Sequence, residues 1–145
     1  MARNLHSFLT FLVCIALDWV WLAGLAGELL LYRAADWFQP LDLIFYLLFT
    51  AGLLIFSTYP ALFARDRNIA LYYGAVFGLA VFGLYGLVNG ALHVFWPTTL
   101  IIVDTAWGTF AGAVCGLLSF ELGRWLGLSG SATKDVALDR GMFLE

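Results

Sequence analysis

Apolar residues run almost unbroken through four stretches of the chain, interrupted by short polar segments and showing no period-two alternation. The stretches are 7–32, 41–63, 69–94 and 98–126, each at or above the roughly 20 residues that an α-helix needs to cross about 30 Å of hydrocarbon. Barrel strands would instead read as alternating segments of about ten residues. The pattern predicts an all-α, polytopic membrane protein.

The connections predict its topology. ARDRN at 64–68 is tight, and so is the segment from Phe95 to Pro97, so consecutive helices are expected to be antiparallel neighbours. Residues 1–126 then form a four-transmembrane-helix antiparallel bundle, up-down-up-down. From 127 to 145 the chain turns Gly/Ser-rich and charged, and this segment is expected to be a flexible tail. The first stretch reads as a spanning helix and not as a cleaved leader, because Asp18 interrupts it and it continues through Leu31.

Composition strengthens the membrane assignment. With 63% hydrophobic and 12% charged residues, and a mean hydropathy of +0.92, the 145-residue chain lies outside the range of soluble domains. The placement of charge says more than the net value of −3. Four antiparallel helices put Arg3, Arg65, Arg67, Arg124, Lys134 and Arg140 on one side and only Arg33 on the other. The positive-inside rule then makes both termini and the second loop cytoplasmic. Trp37, Trp96 and Trp125 fall at helix ends, where indoles prefer the headgroup layer.

Two kinds of residue stand out inside the helices. Gly74 and Gly78, Gly86 and Gly90, and Gly108, Gly112 and Gly116 recur at four-residue spacing, which clears a groove for close approach of helices three and four. Cys14 and Cys115 read as packing residues, since no CxxC or Cys/His cluster accompanies them. The carboxylates demand more explanation. Asp18, in LDWVWL, and Asp104, in VDTAWG, share a DxxW spacing, and an acid in mid-membrane must face protein or water or be protonated. Both are expected in the outer half of the bundle. Asn89 on helix three is a donor and acceptor for them, with Trp21 and Trp107 one turn from each acid. Glu28, Tyr85 and His93 belong to the rim of this candidate site.

Other chemistries lack their residues. A retinal Schiff base needs an intramembrane lysine, and the only lysine is Lys134 in the tail. His6 and His93 are expected at opposite membrane sides and cannot share a haem. No phosphate-cradling loop, nucleophile elbow or HExxH helix is present. No cofactor, metal or nucleic-acid partner is expected.

The motifs LDWVWL, FYLLFTAGLLIF, GAVFGLAVFGLYGLVN and WPTTLIIVDTAWGTF, in that order, resemble the bacterial membrane proteins of domain-of-unknown-function family 2177 over residues 8–125. The resemblance implies four helices and no particular activity. The family pattern has an acid after the tyrosine, where this chain has Gly86 after Tyr85.

Three functions fit these residues. The first is binding or transport of a proton, a cation or a small ligand at Asp18, Trp21, Asn89, Asp104 and Trp107. Because four helices enclose little space, a ligand pathway would need a homodimer or a membrane-protein partner within the bilayer. The alternative is a structural or accessory subunit of a membrane complex, with the acids as hydrogen-bond glue. A third is a lipid- or isoprenoid-modifying enzyme with the two acids as an acid/base pair.

Overall fold

A computed structural model describes residues 1–21, 40–92 and 97–128. All regular structure there is helical, and four helices are long and apolar enough to cross a membrane. Helix α1 is Ala2–Trp21. Helix α2 runs through Pro40–Leu53, a π-helical turn Leu54–Thr58, and Tyr59–Ala64. Helix α3 is Arg67–Leu92 and α4 is Thr98–Trp125. Mean hydropathy of the four spans is 1.4 to 1.8, so lipid is the medium that covers their exposed Leu, Ile, Val and Phe side chains.

α1 begins five residues earlier than the hydrophobic pattern suggests. The Leu5 amide donates to the Met1 carbonyl at 3.2 Å and the Ser7 hydroxyl to the Arg3 carbonyl at 3.1 Å, so the polar first turn is helical too. Arg3 and Asn4 are exposed while His6 turns inward. The expected continuation of helix one to residue 32, the end of helix three, and the tail beyond Leu128 lie outside the described residues, as do Trp37 and Trp96.

α2 is not a regular α-helix. Pro60 has no amide hydrogen to give back along the helix. Just before it the turn widens, and the Tyr59 amide bonds the Leu54 carbonyl five residues back. The wide turn brings Ser57 and Thr58 fully into the bundle. α2 ends on Arg65, in the left-handed region at φ 56°, with the Asp66 amide closing back onto the Ala61 carbonyl at 3.1 Å. Asp66 Oδ1 then accepts from the Asn68 amide at 2.8 Å and caps α3. α4 closes on Gly127 at φ 74°, with amides of Gly127 and Leu128 bonded to carbonyls of Arg124 and Gly123.

The packing fixes the helix order in space. α3 and α4 lie backbone to backbone: a Cβ on Gly78 would stand 2.0 Å from the Gly108 carbonyl oxygen, and one on Gly74 2.3 Å from that of Gly112. A Cβ on Gly116 would stand 2.6 Å from the Ala70 carbonyl oxygen and 2.7 Å from Ser57 Oγ, so the π-helical turn of α2 lies against both helices. α1 rests on α2 and α4. The core holds Cys14, Phe49, Leu53 and Cys115 with Phe45, Phe77 and Phe82 around them. The N-terminus, the Arg65–Asp66 turn and the end of α4 share one end of the bundle, here the terminal end. The starts of α2 and α4 lie at the far end.

Candidate functional site

Asp18 sits about three residues from the described end of α1, half-buried between α2 and α4. Its carboxylate accepts a hydrogen bond from the Tyr46 hydroxyl of α2 through Oδ2. The Trp107 indole of α4 donates to Oδ1 at 3.3 Å. One acid therefore ties three helices together. Trp21, one turn further along α1 and buried, stacks on Trp107 with ring centroids 4.7 Å apart and planes within 8°. The stack fixes the indole whose N–H reaches Asp18.

Asp104, one turn before Gly108 on α4, is half-buried and stands three residues before Trp107, whose indole reaches Asp18. The second acid therefore lies within about a helical turn of the first one's site. Asn89 does not join them. Its amide donates to the Tyr85 carbonyl of its own helix at 2.8 Å. The register explains why: Gly86 and Gly90 both face Ile101 of α4, so Asn89 lies nearer the far end than Asp104. Tyr85 is exposed beside it. Glu28 and His93 lie outside the described residues.

The space around the acid is small. A cavity of about 10 Å³ is bounded by Cys14, Asp18, Tyr46, Phe49, Phe82 and Cys115, at the lower limit for one water molecule. A wider hollow lies elsewhere: an apolar groove of about 640 Å³ between α3 and α4, open on the lipid side and lined by residues such as Leu79, Gly83, Ile102 and Ala106. It does not reach the carboxyls.

A second polar group lies at the terminal end, where the hydrophobic pattern gives no hint of it. His6 and Thr10 of α1, Thr58 of α2 and Ser119 of α4 are fully buried together. His6 Nε2 is 2.8 Å from the Ser119 carbonyl oxygen and 3.3 Å from its Oγ. Thr10 Oγ1 donates to the His6 carbonyl at 2.9 Å and lies 2.9 Å from Ser119 Oγ, to which Thr58 donates at 3.1 Å. The available signal was spacing: His6, Thr10, Cys14 and Asp18 recur every four residues and so share one face of α1. No group of three His, Cys, Asp or Glu side chains among the described residues is placed to hold a metal ion.

The model of a family described as predicted membrane protein, DUF2177, matches residues 5–121, more than three quarters of the chain. The chain belongs to the DUF2177 family. No curated protein and no solved structure is significantly similar to it. Within this DUF2177 member, the matched region contains both acids and the Asp18 partners Tyr46 and Trp107. Gly86, next to Tyr85 on α3, is buried, and a Cβ there would meet Ile101 Cγ2 at 2.9 Å. That position faces α4 one turn from Asp104.

Proposed function

We propose that this protein binds and exchanges a proton at the Asp18 and Asp104 carboxyls, inside a cytoplasmic membrane with both termini on the cytoplasmic side. The observation that carries the reading is the placement of two half-buried acids, bridged by the Trp107 indole one turn from Asp104, inside an apolar bundle. Two carboxylates placed in an apolar bundle are costly when both are ionised, so a single proton held between them lowers that cost. Tyr46 and Trp107 donate to Asp18 and support it as the charged member.

The geometry favours a proton over the other occupants weighed. A small organic ligand would need room between Trp21 and Trp107, and those rings stack on each other. The cavity beside Asp18, about 10 Å³, is too small for such a molecule. Acid/base chemistry on a lipid would need a passage from the bilayer to both acids, and the groove between α3 and α4 ends short of them.

A second reading is favoured by the hydrogen bonds alone. Asp18 joins α1 to α2 and α4, as an accessory subunit with polar glue would require, and such contacts are worth about 0.6 kcal/mol each on average. Counting protons separates the two. In titrations of purified protein over neutral to acidic pH, the native chain is expected to take up about one proton more than Asp18→Asn, with both chains equally helical. Equal uptake would reject the proton reading and leave the structural one.

A further inference from the structure

We propose that the buried line from His6 to Asp18 is a proton-transfer path, which takes up protons at the terminal end of the bundle and delivers them to the carboxyl pair. The proposal rests on the reading of Asp18 and Asp104 as a proton-binding pair.

The line is continuous in side-chain type. His6, Thr10, Cys14 and Asp18 descend one face of α1 in four-residue steps, about 6 Å each and about 18 Å in all. His6 and Thr10 are completely buried, and Cys14 nearly so. Each step is completed from the facing helices: Ser119 and Thr58 beside His6 and Thr10, Cys115 beside Cys14, Tyr46 and Trp107 beside Asp18. Every group along it, the indole excepted, both gives and accepts a proton.

The first hydrogen bonds have a definite sense. His6 Nε2 lies on the Ser119 carbonyl, which only accepts, so that nitrogen carries the hydrogen and Nδ1 carries the lone pair. Thr58 donates to Ser119, and Thr10 donates to the His6 carbonyl, which leaves the Ser119 hydrogen for Thr10. A proton taken at Nδ1 lets Nε2 release its own to Ser119 Oγ, and Ser119 passes its hydrogen to Thr10. Each hydroxyl gains one proton and loses one. Thr10 then turns its own hydrogen from the His6 carbonyl to Cys14 Sγ, and the Cys14 thiol gives up its hydrogen to Asp18. The hydroxyls and the thiol end as they began, Asp18 ends as a carboxylic acid, and the imidazole ends with its hydrogen on Nδ1, so the ring must turn over before the next transfer.

Polar glue explains this line less well. Buried polar groups that serve only to tie helices are satisfied ones. Among the described residues, the buried His6 Nδ1 has no hydrogen-bond partner. It stands at the entrance of the line. The step from Thr10 to Cys14 exceeds a hydrogen bond, so transfer waits on a hydroxyl rotation or a transient water and is slow. The charged groups at the entrance are placed for the surface: Arg3 of α1 and Arg65 of α2 are exposed, Asp66 caps α3, and Glu121 and Arg124 of α4 lie 3.5 Å apart. Tyr59 of α2, with its ring 6.4 Å from that of His6, is the titratable group that packs against the imidazole.

The test uses the full chain in phosphatidylcholine liposomes with a trapped pH-sensitive dye, driven by a potassium diffusion potential. Proton flux is expected to fall at least tenfold in Thr10→Val and in Ser119→Ala, and to be kept in Thr10→Ser, while equilibrium proton uptake stays native in all three. Native flux in Thr10→Val, flux lost equally in Thr10→Ser, or no flux in the native chain overturns the path. If uptake is native and flux is indifferent to Thr10, the path alone fails. If native uptake equals that of Asp18→Asn, the carboxyl pair fails and takes the path with it.

Discussion

The carboxylate of Asp18 gathers one hydrogen bond from α2 and one from α4, and the donor on α4 is itself clamped by a stacked indole. Residues that share a partner in this way do not act independently. Removing the indole donor in Trp107→Phe and the acceptor charge in Asp18→Asn is therefore expected to be non-additive: thermal stability in detergent falls by less in the double variant than the two single losses combined, with a coupling of about 0.5 kcal/mol or more. Additive losses would mean that the 3.3 Å contact carries no energy. The sequence carried the acid and both tryptophans, through their DxxW spacing, but not Tyr46. A tyrosine in an apolar helix looks like any lipid-facing aromatic until the facing helix is known. Asn89 misled for the converse reason. Residue type qualified it as a partner, while helix register placed it beyond reach of Asp104 and its amide turned to Tyr85.

At the scale of helices, the contact of α3 with α4 depends on glycines whose missing Cβ is filled by the opposing backbone. A methyl on Gly78 would fall 2.0 Å from a carbonyl oxygen, whereas one on Gly83 would meet only Thr105 Cγ2 at 3.6 Å, an ordinary contact. Gly78→Ala is thus expected to separate the helices and lower the melting temperature in detergent by several degrees. Gly83→Ala is expected to be neutral or slightly stabilising, since alanine favours a helix by up to about 1 kcal/mol over glycine. Equal effects in a thermal melt would contradict the backbone-to-backbone contact. Four-residue spacing reveals such ridges in a sequence, because repetition on one face is enough. It does not reveal the π-helical turn at Leu54–Thr58, which depends on Pro60 and on how Ser57 meets Ala70 and Gly116. The same difficulty hid the His6 cluster. Single hydroxyls at Thr10, Thr58 and Ser119 are unremarkable in apolar helices, and only the packing of three helices makes them one group.

For the molecule as a whole, hydrophobic length and uninterrupted runs made four spanning helices legible before any contact was known, because the bilayer imposes one thickness on every span. What the runs could not convey is the asymmetry between the ends. One end holds fully buried hydroxyls and an imidazole, the other two half-buried acids. Arg3, Arg65, Arg67 and Arg124 lie at the first of these ends, and the positive-inside rule predicts that this end is the cytoplasmic one. Single cysteines introduced at Arg65 and at Thr98, in a chain with Cys14 and Cys115 replaced by alanine, test this. An impermeant thiol reagent applied outside intact cells is expected to label the second and not the first, and the reverse pattern would invert the protein. The central claim, that Asp18 and Asp104 hold an exchangeable proton, is tested most directly by infrared difference spectroscopy of the carboxyl C=O stretch during a pH titration in lipid. The account predicts a protonated-carboxyl band in the native protein that responds to pH and disappears or shifts in both Asp18→Asn and Asp104→Asn. A native protein without that band, or a band unchanged in both variants, would contradict it.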